Sequence, residues 1–168
     1  MLSDPNDLSK TRRKIVLGLT GMPGSGKGEI TSVARELNIP SYSLGDVVRE
    51  FHATVPYMDR PEDIGIFANS ERERCGYDVW AKRLVDRIDS GVFEVVIIDG
   101  VRSLSEVEIF RSRWGEDFRI IAVHSSPATR FSRLLRRGRE DDPSDRSEFD
   151  ERDLRELGWG IGQVIALA

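Results

Sequence analysis

The stretch IVLGLTGMPGSGKGEITSVARELN, residues 15–38, decides the fold expected for this chain. Its first part, Ile15–Thr20, is a short apolar run of the kind that forms a buried strand. In its last part, apolar residues recur at the i, i+3, i+4 and i+7 spacing of a helix with one apolar face: Ile30, Val33, Ala34 and Leu37. The eight residues between strand and helix contain four glycines. The pattern therefore predicts a strand, a tight glycine-rich turn and a helix.

The turn has the spacing G-x-x-x-x-G-K of a phosphate-binding loop. Glycines allow successive backbone N–H groups to face one concavity, and the start of the helix adds the positive end of its dipole. Lys27 places one positive charge on the outer phosphates of a nucleotide. A dinucleotide-binding G-x-G-x-x-G motif is excluded because position 29 is glutamate. A nucleotide site is predicted on Gly21, Met22, Pro23, Gly24, Ser25, Gly26, Lys27, Gly28 and Glu29.

The residue after Lys27 is Gly28, where many phosphate loops carry the hydroxyl that touches Mg²⁺. An acidic candidate follows Val92–Ile98, the strongest apolar β-branched run in the chain, which ends directly before Asp99. An apolar strand ending in aspartate is the Walker B pattern, which places a carboxylate beside the phosphate loop. The alternative is that Asp99 is a turn residue or a helix N-cap. The expected cofactors are ATP and Mg²⁺, with Asp99 holding the metal through water.

Apolar runs alternate with helical patterns along the rest of the chain, which predicts an α/β fold of three layers around a central parallel sheet. Further strands are expected at Ile39–Leu44 and Phe118–Val123, and helices at Asp46–Thr54, Leu104–Trp114 and Pro127–Arg137. Residues 1–13 are polar and aperiodic and are predicted to be a flexible tail. Residues 14–168 are expected to form one domain.

Composition excludes several classes of protein. The 168 residues suit one domain, and the net charge of −4, from 25 basic and 29 acidic residues, is too small and too mixed for a nucleic-acid-binding surface. No apolar run approaches the ~20 residues that span a bilayer, and residues 1–13 lack the apolar core of a secretory signal. A single cysteine excludes an internal disulfide and a cysteine-cluster zinc site. A cytoplasmic protein with neither a nucleic-acid partner nor a membrane is expected.

The loop G-x-P-G-x-G-K-G resembles that of adenylate kinases and related nucleoside monophosphate kinases, where glycine also follows the lysine. Threonine comes next in that family, and Glu29 does here. The stretch SLGDVVR, residues 43–49, is similar to the adenylate-kinase segment that engages the acceptor nucleotide, which implies acceptor roles for Gly45 and Arg49. Read without the family, Arg49 could also be an ordinary exposed helix arginine.

Two more segments carry the resemblance. IIDGVR, residues 97–102, looks like the kinase D-G-x-P-R motif, although it is one residue shorter and lacks the proline. By that similarity Arg102 binds the acceptor phosphate, for which a planar guanidinium suits bidentate contact.

The second segment is rich in arginine: Arg130, Arg133, Arg136, Arg137 and Arg139. It is either a solvated helix with ion pairs to the acids of residues 141–156, or a mobile lid that closes over the phosphates. Similarity to adenylate kinases favours the lid, because there an arginine pair four apart is followed by R-x-D-D, as in Arg139–Asp142, and by one more arginine, here Arg152. The resemblance implies catalytic roles for Lys27, Arg133, Arg137 and Arg139 and an acceptor role for Arg152. It also implies acceptor-binding helices over residues 44–90 and a lid over residues 137–152.

From Lys14 onwards the chain resembles an archaeal group of adenylate-kinase-related P-loop proteins, uncharacterised protein family 0200. The supporting strings are GLTGMPGSGKG, SLGDVVRE, VVIIDGVRS, RGREDDP and ERDLRELGWGIG. The resemblance implies a P-loop kinase-like domain that binds ATP, and it leaves the acceptor open. Transfer of the ATP γ-phosphoryl group to a nucleoside monophosphate is the first expectation. The alternatives are a nucleotide sensor without useful transfer activity and a kinase of a small phosphorylated metabolite such as dephospho-coenzyme A.

Members of that family usually continue into another strand and a helix. This sequence ends at Ala168, before those elements, so a four-stranded sheet with one open edge is expected. A homodimer could cover that edge.

Overall fold

A computed structural model describes residues 14–56 and 63–168. The predicted flexible tail, residues 1–13, lies outside the described residues. Within them the chain forms one parallel sheet of four strands in the order β2-β3-β1-β4: β1 Ile15–Thr20, β2 Ser41–Ser43, β3 Val95–Asp99 and β4 Phe118–Ala122. Strands β2 and β4 are the two edges of this order, and a homodimer that covers an open edge stays a prediction.

Helices connect the strands and cover the sheet. In the described ranges they are α1 Lys27–Glu36, α2 Leu44–Thr54, α3 Ile64–Cys75, α4 Val79–Asp89, α5 Leu104–Trp114, α6 Pro127–Arg137, α7 Arg146–Gly158 and α8 Ile161–Ala166. A 3₁₀ turn over Gly115–Asp117 joins α5 to β4. The larger core cluster packs α2, α4 and α5 against one sheet face around Trp80, Leu84 and Phe110, and a smaller one packs α1 against the other face. The expected three-layer α/β sandwich is confirmed.

The predicted apolar face of α1 is only partly buried. Ala34 is buried and Ile30 packs with it against the sheet, whereas Val33 and Leu37 are exposed. The core cluster on this side of the sheet is small. It therefore buries a narrower part of the α1 surface than the spacing of apolar residues predicts.

Helix α3 had no counterpart among the helices expected from apolar periodicity. Its sequence, IGIFANSERERC, lacks an apolar stripe beyond its first turns, because it buries Glu71 and Arg72 in place of aliphatic residues. Glu71 pairs with Arg74 and Arg83, and Arg72 pairs with the fully buried Glu106 of α5. Buried charges are tolerated when paired, so a helix can contribute to a core without an apolar pattern.

Candidate functional site

The phosphate loop and Asp99 lie side by side at the carboxyl end of the sheet. Leu19 of β1 and Asp99 of β3 are partners in the parallel register. The Thr20 hydroxyl donates a hydrogen bond of 2.8 Å to the carbonyl oxygen of Val101, which ties the two strand ends together. Ligands of open α/β sheets bind at this edge.

Glycine is required in the loop because its backbone presses against neighbouring elements. Gly21 has a φ of +142°, and a Cβ atom there would lie 2.2 Å from the carbonyl oxygen of Val123. Gly24 has a φ of +78°, and its Cβ would lie 2.8 Å from the carbonyl oxygen of Arg130. The loop is therefore wedged between the end of β4 and helix α6.

Two alanine substitutions in the loop are expected to have opposite effects. Gly21→Ala should lower the free energy of unfolding by about 3 kcal/mol, because it combines a strained backbone with the clash on Val123. Gly28→Ala should raise it by about 0.5 kcal/mol, since position 28 is helical and, apart from the adjacent residues and the backbone of the same helix, no described atom lies within 4 Å of the added Cβ. Urea denaturation measures both values, and equal stability of the two variants would contradict the account of the loop.

The side chain of Lys27 folds back onto the first residues of the phosphate loop. Its Nζ donates to the carbonyl oxygen of Gly21 at 2.6 Å and to that of Met22 at 3.4 Å. Burial lowers the pKa of Lys27 to about 8, while the nearby carboxylates of Asp99 and Glu156 act in the opposite direction. The ammonium group is therefore charged at neutral pH, and its charge is poorly solvated before any anion arrives.

This pKa predicts how nucleotide binding depends on pH. Below pH 8 Lys27 is already protonated, so ATP affinity should change little. Above pH 8 the phosphates must recruit a proton to Lys27, so affinity should fall by up to about tenfold for each pH unit, with net proton uptake on binding. Calorimetry between pH 6.5 and pH 9.5 in buffers of different ionisation enthalpy measures both effects. Lys27→Arg, which stays charged, should remove the dependence, and a wild-type affinity that is flat to pH 9.5 would contradict the prediction.

A cleft of about 530 Å³ opens beside the loop. It contains eight of the nine loop residues predicted to bind nucleotide, whereas Met22 is buried and contributes a carbonyl oxygen to Lys27. Other predicted residues on the same wall are Asp99, Arg133, Arg137 and Arg139. Thr31, whose hydroxyl no motif singled out, also lines this cleft, one helical turn after Gly28. We call it the donor cleft, after the nucleotide site predicted on the loop.

Asp99 suits a metal that phosphates help to bind. Its Oδ1 is buried and has no hydrogen-bond partner in the described part of the chain. No group of three or more histidine, cysteine or acidic residues in that part of the chain could hold a metal by itself. Mg²⁺ commonly takes one or two carboxylates together with waters and substrate phosphates, so a single aspartate beside the phosphate loop fits it.

Arg133 is docked on the phosphate loop. Its Nη1 donates to the carbonyl oxygens of Gly24 at 3.3 Å and Ser25 at 3.0 Å, and to the Ser125 hydroxyl at 2.9 Å. Its charge therefore already lies on the backbone that would surround the phosphates.

Asp142 of the predicted lid binds the side chains of Arg137 and Arg152. Asp142 accepts hydrogen bonds from the Arg137 guanidinium and from the backbone N–H of Arg139, and its Oδ1 lies 3.4 Å from Nη1 of Arg152. Burial opposes ionisation of Asp142, but the bonds from Arg137 and Arg139 lower its pKa overall. Arg137 and Arg152 therefore form ion pairs with a following or nearby acid and also line the donor cleft. The second half of the predicted lid, from Arg146 onwards, is the beginning of α7.

A second, larger cavity of about 780 Å³ adjoins the donor cleft. All four residues predicted to bind the acceptor line both spaces, so they lie on the boundary between them: Gly45, Arg49, Arg102 and Arg152. Asp141 and Glu156 lie on the same boundary. We call this second space the acceptor cavity, after that prediction.

Several residues of the acceptor cavity were not expected from motifs. Glu156 lies four positions after Arg152 on α7, so helical spacing could have placed both on one face. Arg72 and Trp159 pack together, with the guanidinium 4.3 Å from the ring centre, and nothing local in the sequence indicates that pair. Trp159 also donates to the Asn69 side chain at 2.8 Å, which joins α3 to the end of α7.

None of the helices in residues 14–56 and 63–168 has both the length and the apolar character to cross a membrane.

Comparison with solved structures places this geometry among kinase-like P-loop folds. Shikimate kinase from Bacteroides thetaiotaomicron superposes with a TM-score of 0.57 at 22% identity, covering 90% of this chain and 80% of that one. A gluconokinase from Sinorhizobium meliloti 1021 gives a TM-score of 0.53 at 19% identity over 86% of this chain and 75% of that one. At such identities the likeness shows the fold alone.

Sequence comparison gives closer relatives. A family model described as an AAA domain matches residues 20–150. A UPF0200 protein of Hyperthermus butylicus is 47% identical over 161 residues, covering 96% of this chain and 85% of that protein. A UPF0200 protein of Thermoplasma volcanium is 43% identical over 150 residues, covering 89% and 82%. The chain therefore belongs to the UPF0200 family and has a P-loop kinase-like domain.

Proposed function

We propose that this protein transfers the γ-phosphoryl group of ATP to a nucleoside monophosphate bound in the acceptor cavity. The observation that carries the proposal is the boundary between the two spaces, where Arg49, Arg102 and Arg152 line both. Two anionic substrates that meet end to end repel each other unless cations lie between them. Arginine suits this position because its fork binds phosphate oxygens in pairs.

The acceptor cavity has the size and lining for a nucleotide. Its volume of about 780 Å³ falls within the range of about 300–1,000 Å³ typical of small-molecule sites. Val48, Ile64 and Ala68 offer apolar surface for a base and sugar, while Asp63 and Arg155 offer an acceptor and donors for polar ring edges. A small hydroxy acid would leave much of this space unfilled.

Each element of the donor cleft then has a role. The N–H groups of the phosphate loop and the charge of Lys27 hold the ATP phosphates. Asp99 would hold Mg²⁺ through water, and the ion would spread the charge of the β- and γ-phosphates. Arg133, Arg137 and Arg139 would stabilise the equatorial oxygens of the transferred group.

The transfer itself balances without a general base. An oxygen of the acceptor phosphate bonds to the γ-phosphorus as the bond from that phosphorus to the β,γ-bridging oxygen breaks, which releases ADP and a nucleoside diphosphate. In this proposal residues 44–90 contribute the acceptor-binding helices. Residues 137–152 act as a lid that excludes water around the phosphates.

A coupled ADP-release assay tests the proposal with AMP, GMP, CMP, UMP, dephospho-coenzyme A, shikimate and gluconate as acceptors. At least one nucleoside monophosphate should stimulate turnover about tenfold or more above ATP hydrolysis. Arg49→Gln should raise the KM of that acceptor by about tenfold, because a charged contact to its phosphate is lost. Arg35→Gln, at an exposed position of α1, is the matched control.

Two outcomes contradict the proposal. Stimulation only by dephospho-coenzyme A or a hydroxy acid would make the protein a small-metabolite kinase. Tight binding of ATP or AMP without stimulation by any acceptor would make it a nucleotide-binding sensor.

A further inference from the structure

Arg49 and Arg102, two arginines on the boundary between the cavities, differ in exposure and in their hydrogen-bond partners. Arg49 is 45% exposed in its side chain and pairs with Asp46, one turn before it on the same helix. Arg102 is 22% exposed, its Nε donates to Oε2 of Glu156 at 2.7 Å, and its Nη1 donates to the carbonyl oxygen of Gly100 at 3.0 Å. Two of the three guanidinium nitrogens of Arg102 are thus committed, so its orientation is set before a ligand arrives.

Glu156 is an unusual partner because it is almost completely buried. Its side chain is 4% exposed, it lies in the last turn of α7, and it lines both the donor cleft and the acceptor cavity. A carboxylate buried in this way is costly unless a cation and hydrogen bonds compensate its charge. Arg102, 54 positions away in the sequence, provides both.

A second buried carboxylate fixes the backbone of the same arginine. Oε2 of Glu106 accepts from the N–H groups of Arg102 at 2.7 Å and Ser103 at 3.2 Å. Oε1 of Glu106 lies 3.3 Å from Nη2 of Arg72. Glu106 therefore holds the turn after β3, while Glu156 holds the side chain that this turn presents.

Helix α7 connects this arrangement to the rest of the site. Arg152, four residues before Glu156, donates to the backbone oxygen of Asp141 at 2.6 Å. Asp153 receives a bidentate pair from Arg130, whose Nη1 also lies 3.3 Å from the carbonyl oxygen of Pro23 in the phosphate loop. Helix α7 thus contacts the lid segment and Arg102 directly, and it is linked to the donor loop through Arg130.

We propose that Glu156 is a positioning residue that orients the Arg102 guanidinium toward the anionic group of the acceptor. The inference rests on the proposed function, since it assigns Arg102 to the acceptor side. A guanidinium that is already oriented loses less side-chain entropy when the acceptor binds, so Glu156 should increase the affinity for the acceptor. Glu156 itself contacts Arg102 and is given no role on the reacting atoms.

The kinetic test compares Glu156→Ala and Glu156→Gln with the matched control Glu108→Gln, which changes an exposed residue of α5 that lines neither cavity. Assays at pH 6.5 keep Lys27, with its pKa of about 8, protonated. Glu156→Ala should raise the acceptor KM by about tenfold or more and leave the ATP KM within about threefold, because one charged hydrogen bond to Arg102 is lost. Glu156→Gln keeps an oxygen for Nε and should recover most of the loss. An unchanged acceptor KM, or equal rises in both KM values, would overturn the inference.

A spectroscopic test does not depend on turnover. The ¹⁵N-bound proton on Nε of Arg102, assigned by its loss in Arg102→Lys, should exchange slowly in the wild type and Glu156→Gln and quickly in Glu156→Ala. Slow exchange in all three would overturn the positioning role.

If no acceptor supports turnover, the proposed function fails, and calorimetric titration with AMP takes the place of the KM measurement. An affinity about tenfold weaker in Glu156→Ala then supports the inference for a binding protein. Equal affinities, or no AMP binding to the wild type, overturn it. Thermal unfolding of each variant shows whether a loss of affinity is caused by misfolding. If Glu156→Ala is misfolded, the affinity of Glu156→Gln, which should stay close to that of the wild type, tests the inference instead.

Discussion

Replacement of Lys27 by methionine is expected to reduce both ATP affinity and acceptor-dependent turnover by about a hundredfold or more, since the loss of one preorganised charge at a phosphoryl-transfer site has costs of that size. Methionine keeps the length of the side chain and removes the positive charge of the loop. The loop carbonyl oxygens of Gly21 and Met22 lose their donor at the same time. The fold should persist, because the ammonium group is poorly solvated and its removal relieves that cost.

Calorimetry with ATP and the coupled assay measure the two losses separately. Lys82→Met is the matched control, because Lys82 lies exposed on α4 and pairs with Asp78 one turn earlier. The control should keep wild-type affinity and turnover. ATP affinity of Lys27→Met within threefold of the wild type would contradict the assignment of the loop as the donor site.

Replacement of Asp99 by asparagine should reduce Mg²⁺-dependent turnover by about a hundredfold, in the range known for loss of a charge-stabilising group. Asparagine has nearly the same shape as aspartate, so the buried Oδ1 position stays filled while the negative charge is lost. Without that charge the pKa of Lys27 should fall further below 8, because Asp99 acts to raise it. Measurements at pH 6.5 therefore separate the effect on the metal from the effect on the lysine.

The diagnostic quantity is the Mg²⁺ concentration that gives half-maximal turnover. It should rise in Asp99→Asn, whereas ATP binding measured without Mg²⁺ at pH 6.5 should change by less than about threefold. Asp86→Asn, at an exposed position of α4, is the matched control. An unchanged Mg²⁺ requirement in Asp99→Asn would show that the aspartate serves only as a turn residue.

Elements encoded by local pattern were predictable with good boundaries. The expected helices Leu104–Trp114 and Pro127–Arg137 have those limits in the structure, and so does the strand Ile15–Thr20. The helix α5 begins with a capping box between Ser103 and Glu106, and α6 begins with a proline at its first turn. Capping signals of this kind involve residues close together in the sequence, so the start of each helix can be predicted from the sequence alone.

Elements whose stability depends on distant partners were not predictable in the same way. Helix α3 buries Arg72, whose partner Glu106 lies 34 positions further along. Its polar sequence therefore hides a helix that contributes to the core and to the acceptor cavity. Val33 of α1 shows the converse, because an apolar residue at helical spacing is exposed where no element of the described residues covers it.

The sequence by itself determined the strand–loop–helix unit at residues 15–38, the parallel α/β class and the position of the phosphate-loop motif, because short-range sterics and glycine spacing encode them. Tertiary structure alone decided that Gly45, Arg49, Arg102 and Arg152 meet on one boundary between two cavities. It also decided that Glu156 is the partner of Arg102. The physical reason is that a buried ion pair depends on which helix packs beside which strand end, and no local pattern contains that information.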